Sequence, residues 1–358
     1  MRRLSSWISN CLLAAAAVGV AAGLGEIAVR LLFKEQTELF PRYHTDYQYG
    51  RYTLRGIRPG AQFWHTSADG SWKFVTNDRG FRNDRNFPYE KAQGTLRVLS
   101  LGDSHTQGYE VRQEATFSAV LERYLNARSK DGKIRAEVLN AGVSGFSTAE
   151  ALAFLENEGT KYRPDAVVLG FYANDFADNL KAALYAVDER GALVERGTAH
   201  IPGVRIQNII YAIPGVRWLG ENSYFYSMLF NNVWAFFKER LRRGVFEYAV
   251  AGASGHSAQE VTLAAALVAR MQRYCEERGI RFILVDIPAR TAPQRFAASL
   301  PDEMRRALGA ARVEMLDSRE MLAEFDGAAD LHVAGGHHHI SELTHALIGV
   351  ELGRRILK

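Results

Sequence analysis

Arg97-Val98-Leu99-Ser100-Leu101-Gly102-Asp103-Ser104-His105-Thr106-Gln107-Gly108 decides the reading of this chain. A short apolar run stops at Gly-Asp-Ser, and small polar residues and a second glycine follow it. Apolar runs of this length bounded by turn formers are the pattern of a strand buried in a parallel sheet. A glycine lets the backbone turn sharply where a side chain would clash. Ser104 then stands at the carboxyl end of a strand, where open α/β sheets place their ligands. A serine in that place is either a nucleophile or the N-cap of the next helix.

The same unit recurs downstream. Thr116 to Leu125 has apolar residues at helical spacing, and Ala136 to Asn140 reads as a strand ending in Ala141-Gly142-Val143-Ser144-Gly145. Thr148 to Glu158 is a second helix, capped by Ser147 or Thr148, and Pro164 to Tyr172 is a third strand ending at Ala173-Asn174-Asp175. Regular alternation of strand and helix predicts a doubly wound parallel sheet. Ser104, Gly142 and Asn174 are the small or polar residues at three successive strand ends.

After a break the rhythm returns. A helix is expected around Ala258 to Glu277, a strand at Arg281 to Ile287, a helix at Pro301 to Leu308 and a last strand at Val313 to Asp317. The loop from Asp326 to His339 precedes a final helix from Glu342 to Leu357. The break itself, about 180–255, is dense in aromatics at Ile209 to Tyr211, Tyr224 to Phe230 and Val233 to Phe237, with a basic run from Lys238 to Arg243. It reads as an inserted, largely helical cap, whose aromatics either line a pocket, touch a membrane surface or pack on the sheet.

The N-terminus has a different character. Arg2 and Arg3 precede an apolar stretch rich in Ala and Gly, the layout of a signal peptide or signal anchor. Ala21-Ala22-Gly23 offers a cleavage site, but apolar residues resume after Glu26 as if one helix continued. The reading is an uncleaved anchor over 1–35 with the body on the extracytoplasmic side, against the plainer alternative of a buried or amphipathic helix. Residues 36–94 read as a small β-rich preface, with Trp72 to Thr76 alternating apolar and polar side chains. The main domain covers 95–358.

Composition narrows the classes. With 47% hydrophobic residues in 358, the chain has the material for a large core, and its formal charge of only +4 is spread along the sequence. There is no basic stripe interleaved with aromatics, so nucleic acid is not an expected partner. Cys11 and Cys275 form neither a disulfide framework nor a cysteine zinc site.

Serine is a weak nucleophile until a base takes its proton, and an acyl intermediate needs donors aimed at its oxyanion. The Ser104 N–H, the Gly142 N–H and the Asn174 side-chain amide are the candidate donors. The candidate bases are His332, His337, His338 and His339 in one late loop. Ser341 caps the following helix, which holds His339 on defined backbone just ahead of it and makes it the preferred base. Three adjacent histidines cannot all face one ion, which argues against a metal there.

Gly102-Asp103-Ser104, Asn140-Ala141-Gly142, Ala173-Asn174-Asp175 and a late histidine before a capped helix together resemble the SGNH, or GDSL, hydrolase family. The resemblance covers about Arg97 to Asn179 and the last thirty or so residues. It implies a flavodoxin-like three-layer α/β/α fold and esterase or deacylase chemistry with no metal or other cofactor. It also implies Ser104 as nucleophile, Gly142 and Asn174 as oxyanion donors, and His339 as base. Two departures stand out: Tyr172 replaces the family's glycine two residues before the asparagine, and Gly336 replaces its aspartate three residues before the histidine. Asp330 is then the nearest loop carboxylate and the expected third member. The alternatives are a backbone carbonyl on the imidazole, or His332 as the base. The expected substrates are acyl or acetyl esters of glycans or lipids. An O-acyltransferase of cell-surface polysaccharide and a catalytically idle glycan- or lipid-binding protein are the rival readings.

Overall fold

The computed structural model describes residues 2–41, 43–129, 135–198, 203–233, 256–335 and 339–358. The aromatics at 234–237, the basic run at 238–243, Gly336, His337 and His338 lie outside the described residues.

Five strands, β1 (Thr95–Leu101), β2 (Arg135–Asn140), β3 (Ala166–Phe171), β4 (Arg281–Asp286) and β5 (Glu314–Leu316), form one parallel sheet in the order β5-β4-β3-β1-β2. The sheet is doubly wound, with β1 at the switch between β2 and β3. In register, Leu99 lies opposite both Leu139 and Val167. Alternate side chains point to opposite faces of a strand, and here both faces are covered. Val98, Val138, Val168 and Ile283 pack with Phe117, Leu121, Ile348 and Leu352 of helices Phe117–Arg128 and Glu342–Ile356. Leu99, Leu139, Val167 and Leu284 pack the other way, onto Leu152, Leu267 and Met304 of helices Thr148–Asn157, Ala258–Glu276 and Asp302–Ala310. The result is a three-layer α/β/α sandwich.

The helix starts follow from side-chain caps. Ser147, not Thr148, caps Thr148–Asn157 in a box with Glu150, and Ser257 and Glu260 make the same box at Ala258–Glu276. Among the elements absent from the sequence reading are short antiparallel pairs. The segment read as largely helical begins with a hairpin, Tyr185–Val187 against Leu193–Glu195, before helices Gly203–Tyr211 and Val216–Asn222 and a helical stretch over 224–233. Ala289–Ala292 pairs with Arg295–Ala297 just after β4. Strands of three or four residues carry too little periodicity to be seen in a sequence.

Residues 36–94 contain two hairpins, His44–Tyr49 with Tyr52–Ile57 and Gln62–Ser67 with Gly70–Val75. At the N-terminus, Arg2–Leu32 is a single helix that runs through Glu26 without a break. Within it, Trp7–Leu32 contains an 18-residue window of mean hydropathy 2.0 and is long and apolar enough to cross a bilayer.

Candidate active site

β1 ends at Leu101, and the next residue, Gly102, has φ +142°. A Cβ there would come within 2.7 Å of the Gly170 carbonyl oxygen of β3 and meet the Thr106 hydroxyl. Glycine is therefore what allows the chain to leave β1 against β3. Asp103 then caps a one-turn helix, Ser104–Gln107, by accepting from the His105 N–H at 2.9 Å. The capping role belongs to Asp103, and the Ser104 hydroxyl is left to another partner.

That partner is His339. Its Nε2 lies 2.9 Å from Ser104 Oγ, although the residues are 235 positions apart. His339 is held by backbone on both sides: its carbonyl accepts from the Val333 N–H at 2.9 Å, and the Ser341 N–H donates to the Leu331 carbonyl at 2.9 Å. Ser341 caps helix Glu342–Ile356 and donates its hydroxyl to the Asp330 carbonyl at 2.7 Å. The imidazole is buried between the rings of Tyr109 and His105, at 4.7 and 4.8 Å.

The expected third member is corrected. Asp330 is exposed, and the position beside His339 Nδ1 is taken by Glu110 Oε2 at 3.1 Å. Asp330 lies two residues before the His332–Ile340 bridge, and its place in the same loop does not bring its carboxylate to the imidazole. His332 is not next to Ser104 either; its Nε2 lies 2.9 Å from the Pro288 carbonyl oxygen. Glu110 is buried and has φ +61°, a left-handed conformation that side-chain-bearing residues rarely adopt. Arg82, fully buried, holds this loop from outside, donating to the carbonyls of Gln107 at 3.0 Å, Val111 at 2.7 Å and Gly108. Burial pushes the Arg82 guanidinium down to about 9. Its ring neighbour is Phe74, 4.2 Å from the guanidinium carbon to the centroid.

Asn174 and Gly142 both reach this edge. Asn174 Nδ2 donates to Asp103 Oδ2 at 3.3 Å, a contact between the ends of β3 and β1. It makes no side-chain cap for the helix Asp175–Ala182 that follows. The Gly142 N–H donates to Asn140 Oδ1 at 3.2 Å, and a Cβ on Gly142 would come within 2.4 Å of the Gln107 backbone nitrogen. Glycine is needed there because the β2 loop lies directly on the one-turn helix.

Sequence reasoning passed over several neighbours. Asp175 is buried and accepts from the Thr148 N–H at 2.6 Å, the Thr148 hydroxyl at 2.9 Å and the Tyr172 N–H at 3.0 Å. Burial pushes the carboxyls of both Asp103 and Asp175 upward. Burial likewise pushes His105 well down, and its ring lies 4.0 Å from that of Tyr172. Tyr172, standing where the family's glycine is usual, thus forms a wall of the site. Glu38, His65 and Glu110 bring possible ligand atoms within 4.8 Å of one another, but Glu110 is engaged with His339 and Tyr109 donates to Glu38 at 3.4 Å.

Strand order and polar constellation together define a doubly wound α/β protein with a cluster of polar side chains at the carboxyl edge of the sheet, beside the switch point. Residues 100–347 match the GDSL-like lipase/acylhydrolase family, and the chain belongs to that family. A stretch of 134 residues is 27% identical to an arylesterase of Vibrio mimicus, covering 34% of this chain and 65% of that protein. The match therefore spans just under two thirds of that relative's length. Among solved structures, a lipase/acylhydrolase from Enterococcus faecalis is similar at 17% identity and TM-score 0.42, over 73% of this chain and 95% of that one. A catalytic mutant of an acetylxylan esterase from Geobacillus stearothermophilus is similar at 14% identity and TM-score 0.38, over 73% and 94%.

Proposed function

We propose that this protein is a membrane-anchored serine hydrolase that cleaves acyl esters of glycans or lipids through an acyl-enzyme on Ser104. The observation that carries the reading is the Ser104–His339 contact at 2.9 Å with Glu110 on the opposite ring nitrogen. A carboxylate acceptor on Nδ1 keeps that nitrogen protonated, so Nε2 is the nitrogen free to take a proton. Ser104 Oγ attacks the ester carbonyl as its proton passes to Nε2, and Glu110 stabilises the imidazolium. The developing oxyanion is met by the Ser104 N–H, the second amide proton of Asn174 and the Gly142 N–H, which turns part of its bond away from Asn140. Nε2 returns the proton to the leaving alcohol; a water deprotonated by the same nitrogen then attacks the acyl carbon, and the acid leaves as Nε2 gives that proton back to Ser104 Oγ.

Glu110 also supports catalysis over the idle-binder alternative. That reading rested on the missing aspartate at position 336, and a carboxylate reaches the imidazole by another route. Transfer of the acyl group to a sugar hydroxyl uses the same acyl-enzyme, with acceptor in place of water. The apolar N-terminal helix supports attachment to a membrane, with the catalytic body on the extracytoplasmic side.

The test is hydrolysis of short and medium p-nitrophenyl esters by the full chain in detergent, beside Ser104→Ala, His339→Ala and His332→Ala. Activity lost with Ser104 and His339 and retained with His332 is the expected result. Loss with His332 in place of His339 overturns the assignment of the base. Failure of Ser104 to react with an organophosphonate ester overturns the acyl-enzyme.

A further inference from the structure

The apolar N-terminal helix does not stand apart from the body; its end is fastened to one short segment. Glu26 accepts from the Ser223 hydroxyl at 2.7 Å, the Tyr224 N–H at 3.1 Å and the Phe225 N–H at 2.9 Å. Arg30 donates to the Asn222 carbonyl at 2.9 Å and lies 4.8 Å over the ring of Tyr224. The Phe225 ring packs so closely on Gly25 that a Cβ there would come within 2.8 Å of it. Val29, Leu39 and Tyr224 form a small buried cluster beneath these bonds.

Helix geometry then sets the level of this junction. A bilayer core of about 30 Å takes about 20 helical residues. Counted from Trp7, such a crossing ends near Glu26, the first charged residue after Arg3. Segment 222–225 is thus held where hydrocarbon gives way to headgroups.

The chain on either side of that segment presents apolar side chains outward. Trp218, four residues before Asn222, is 63% exposed, and Leu229, four residues after Phe225, is 51% exposed. Ile206 and Ile209 are exposed on helix Gly203–Tyr211 and Ile213 is exposed just beyond its end, while Val204 and Gln207 are buried. Large exposed apolar side chains gathered on one segment mark a contact surface. Their attachment at the end of a spanning helix specifies the occupant. Trp at the interface and apolar residues set shallowly into it are what a headgroup–acyl boundary accepts.

We infer that the exposed apolar stripe of residues 206–229 rests on the lipid surface beside the N-terminal helix and fixes how the catalytic body sits on the bilayer. The inference rests on the reading of the apolar N-terminal helix as a membrane span from about Trp7 to Glu26.

The test uses the full chain in vesicles of phosphatidylcholine and phosphatidylglycerol, in a Cys11→Ser background where Cys275 is buried. A bimane label is placed in turn at Val18→Cys, Ile209→Cys, Trp218→Cys and Glu303→Cys. Quenching is read with lipids carrying a shallow or a deep nitroxide, and with aqueous iodide. The expected result is loss of emission at Val18 with the deep nitroxide, loss at Ile209 and Trp218 with the shallow one, and loss at Glu303 with iodide alone. Val18 quenched by lipid while Ile209 and Trp218 behave like Glu303 overturns the surface and leaves the span intact. Labels at Ile209 and Trp218 shielded from both lipid and iodide assign the stripe to a protein contact and overturn it too. Val18 open to iodide overturns the span and the inference with it.

Discussion

Glu110 and His339 meet at 3.1 Å across 229 positions of sequence, and the carboxylate comes from the same loop that carries Ser104. Ser104 and the Glu110 carboxylate therefore lie six positions apart in one stretch of chain, and only the imidazole arrives from elsewhere. Removing the acid should misorient the imidazole without dismantling the site. Glu110→Gln is expected to lower kcat by about 10²- to 10⁴-fold, the range set by loss of such a carboxylate from a serine triad. Asp330→Asn is expected to leave kcat within about twofold, since its carboxylate is exposed. Ester hydrolysis of the two variants side by side decides between them.

Arg82 reaches the site from the preface. Arg82→Met would leave the buried carbonyls of Gly108 and Val111 without this donor, and that of Gln107 with only the long bond from Asn140 Nδ2 at 3.4 Å. Each unsatisfied group costs about 1–3 kcal/mol, so denaturant unfolding should show a loss of about 3 kcal/mol or more. The loop it braces contains Glu110, so kcat should fall further than KM changes.

Gly142→Ala tests the packing of the β2 loop on the one-turn helix. The neighbour within 2.4 Å is backbone, which cannot swing aside as a side chain would. Overpacking of this kind costs about 1–3 kcal/mol, and thermal unfolding would register it together with a drop in kcat. Asn174→Ala removes an amide without a clash. It should lower kcat by about 10²- to 10³-fold at little change in stability.

His345 sets a pH dependence of stability. Its Nδ1 accepts from the Phe117 N–H at 3.0 Å, and burial, with Arg82 and His339 nearby, pushes its pKa down to about 3. The unfolded chain takes up a proton near pH 6.5 and the native chain does not, so stability from this group is lost as pH falls below 6.5. Between pH 7 and 5 that loss is about 2 kcal/mol. His105 acts in the same direction, whereas Asp103 and Asp175, whose carboxyls are raised, favour the native state at the acid end of the range. The clean measurement is therefore a difference: His345→Asn should lose about 2 kcal/mol less than the parent over this range in urea unfolding.

Legibility in the sequence followed periodicity. Ser104, Gly142 and Asn174 stood out because apolar strand runs stop at them, and His339 because a capped helix follows it. Glu110 had no such marker. It lies between Tyr109 and Val111 in a turn after a one-turn helix, and its left-handed backbone falls on a residue that sequence does not flag. A lone charge between apolar neighbours was the only available sign of a buried carboxylate. Asp330 was favoured because it was near in sequence, and a bridge between His332 and Ile340 separates nearness along the chain from nearness in space. Arg82 was unreadable for the opposite reason: its role depends wholly on three carbonyls more than twenty residues away.

The long span between Ser104 and His339 also orders events in folding. Closing a loop of this length costs only about 0.6 kcal/mol more for each doubling, so stability tolerates it, but the search for such a contact is slow. β1, β2 and their intervening helix join residues close in sequence and can associate early. The histidine is seated only when helix Glu342–Ile356 has packed against Phe117–Arg128 and the Phe117 N–H has found His345. During refolding, ester turnover should therefore lag behind the return of helical circular dichroism, reporting the docking of the chain's last helix rather than the birth of the sheet.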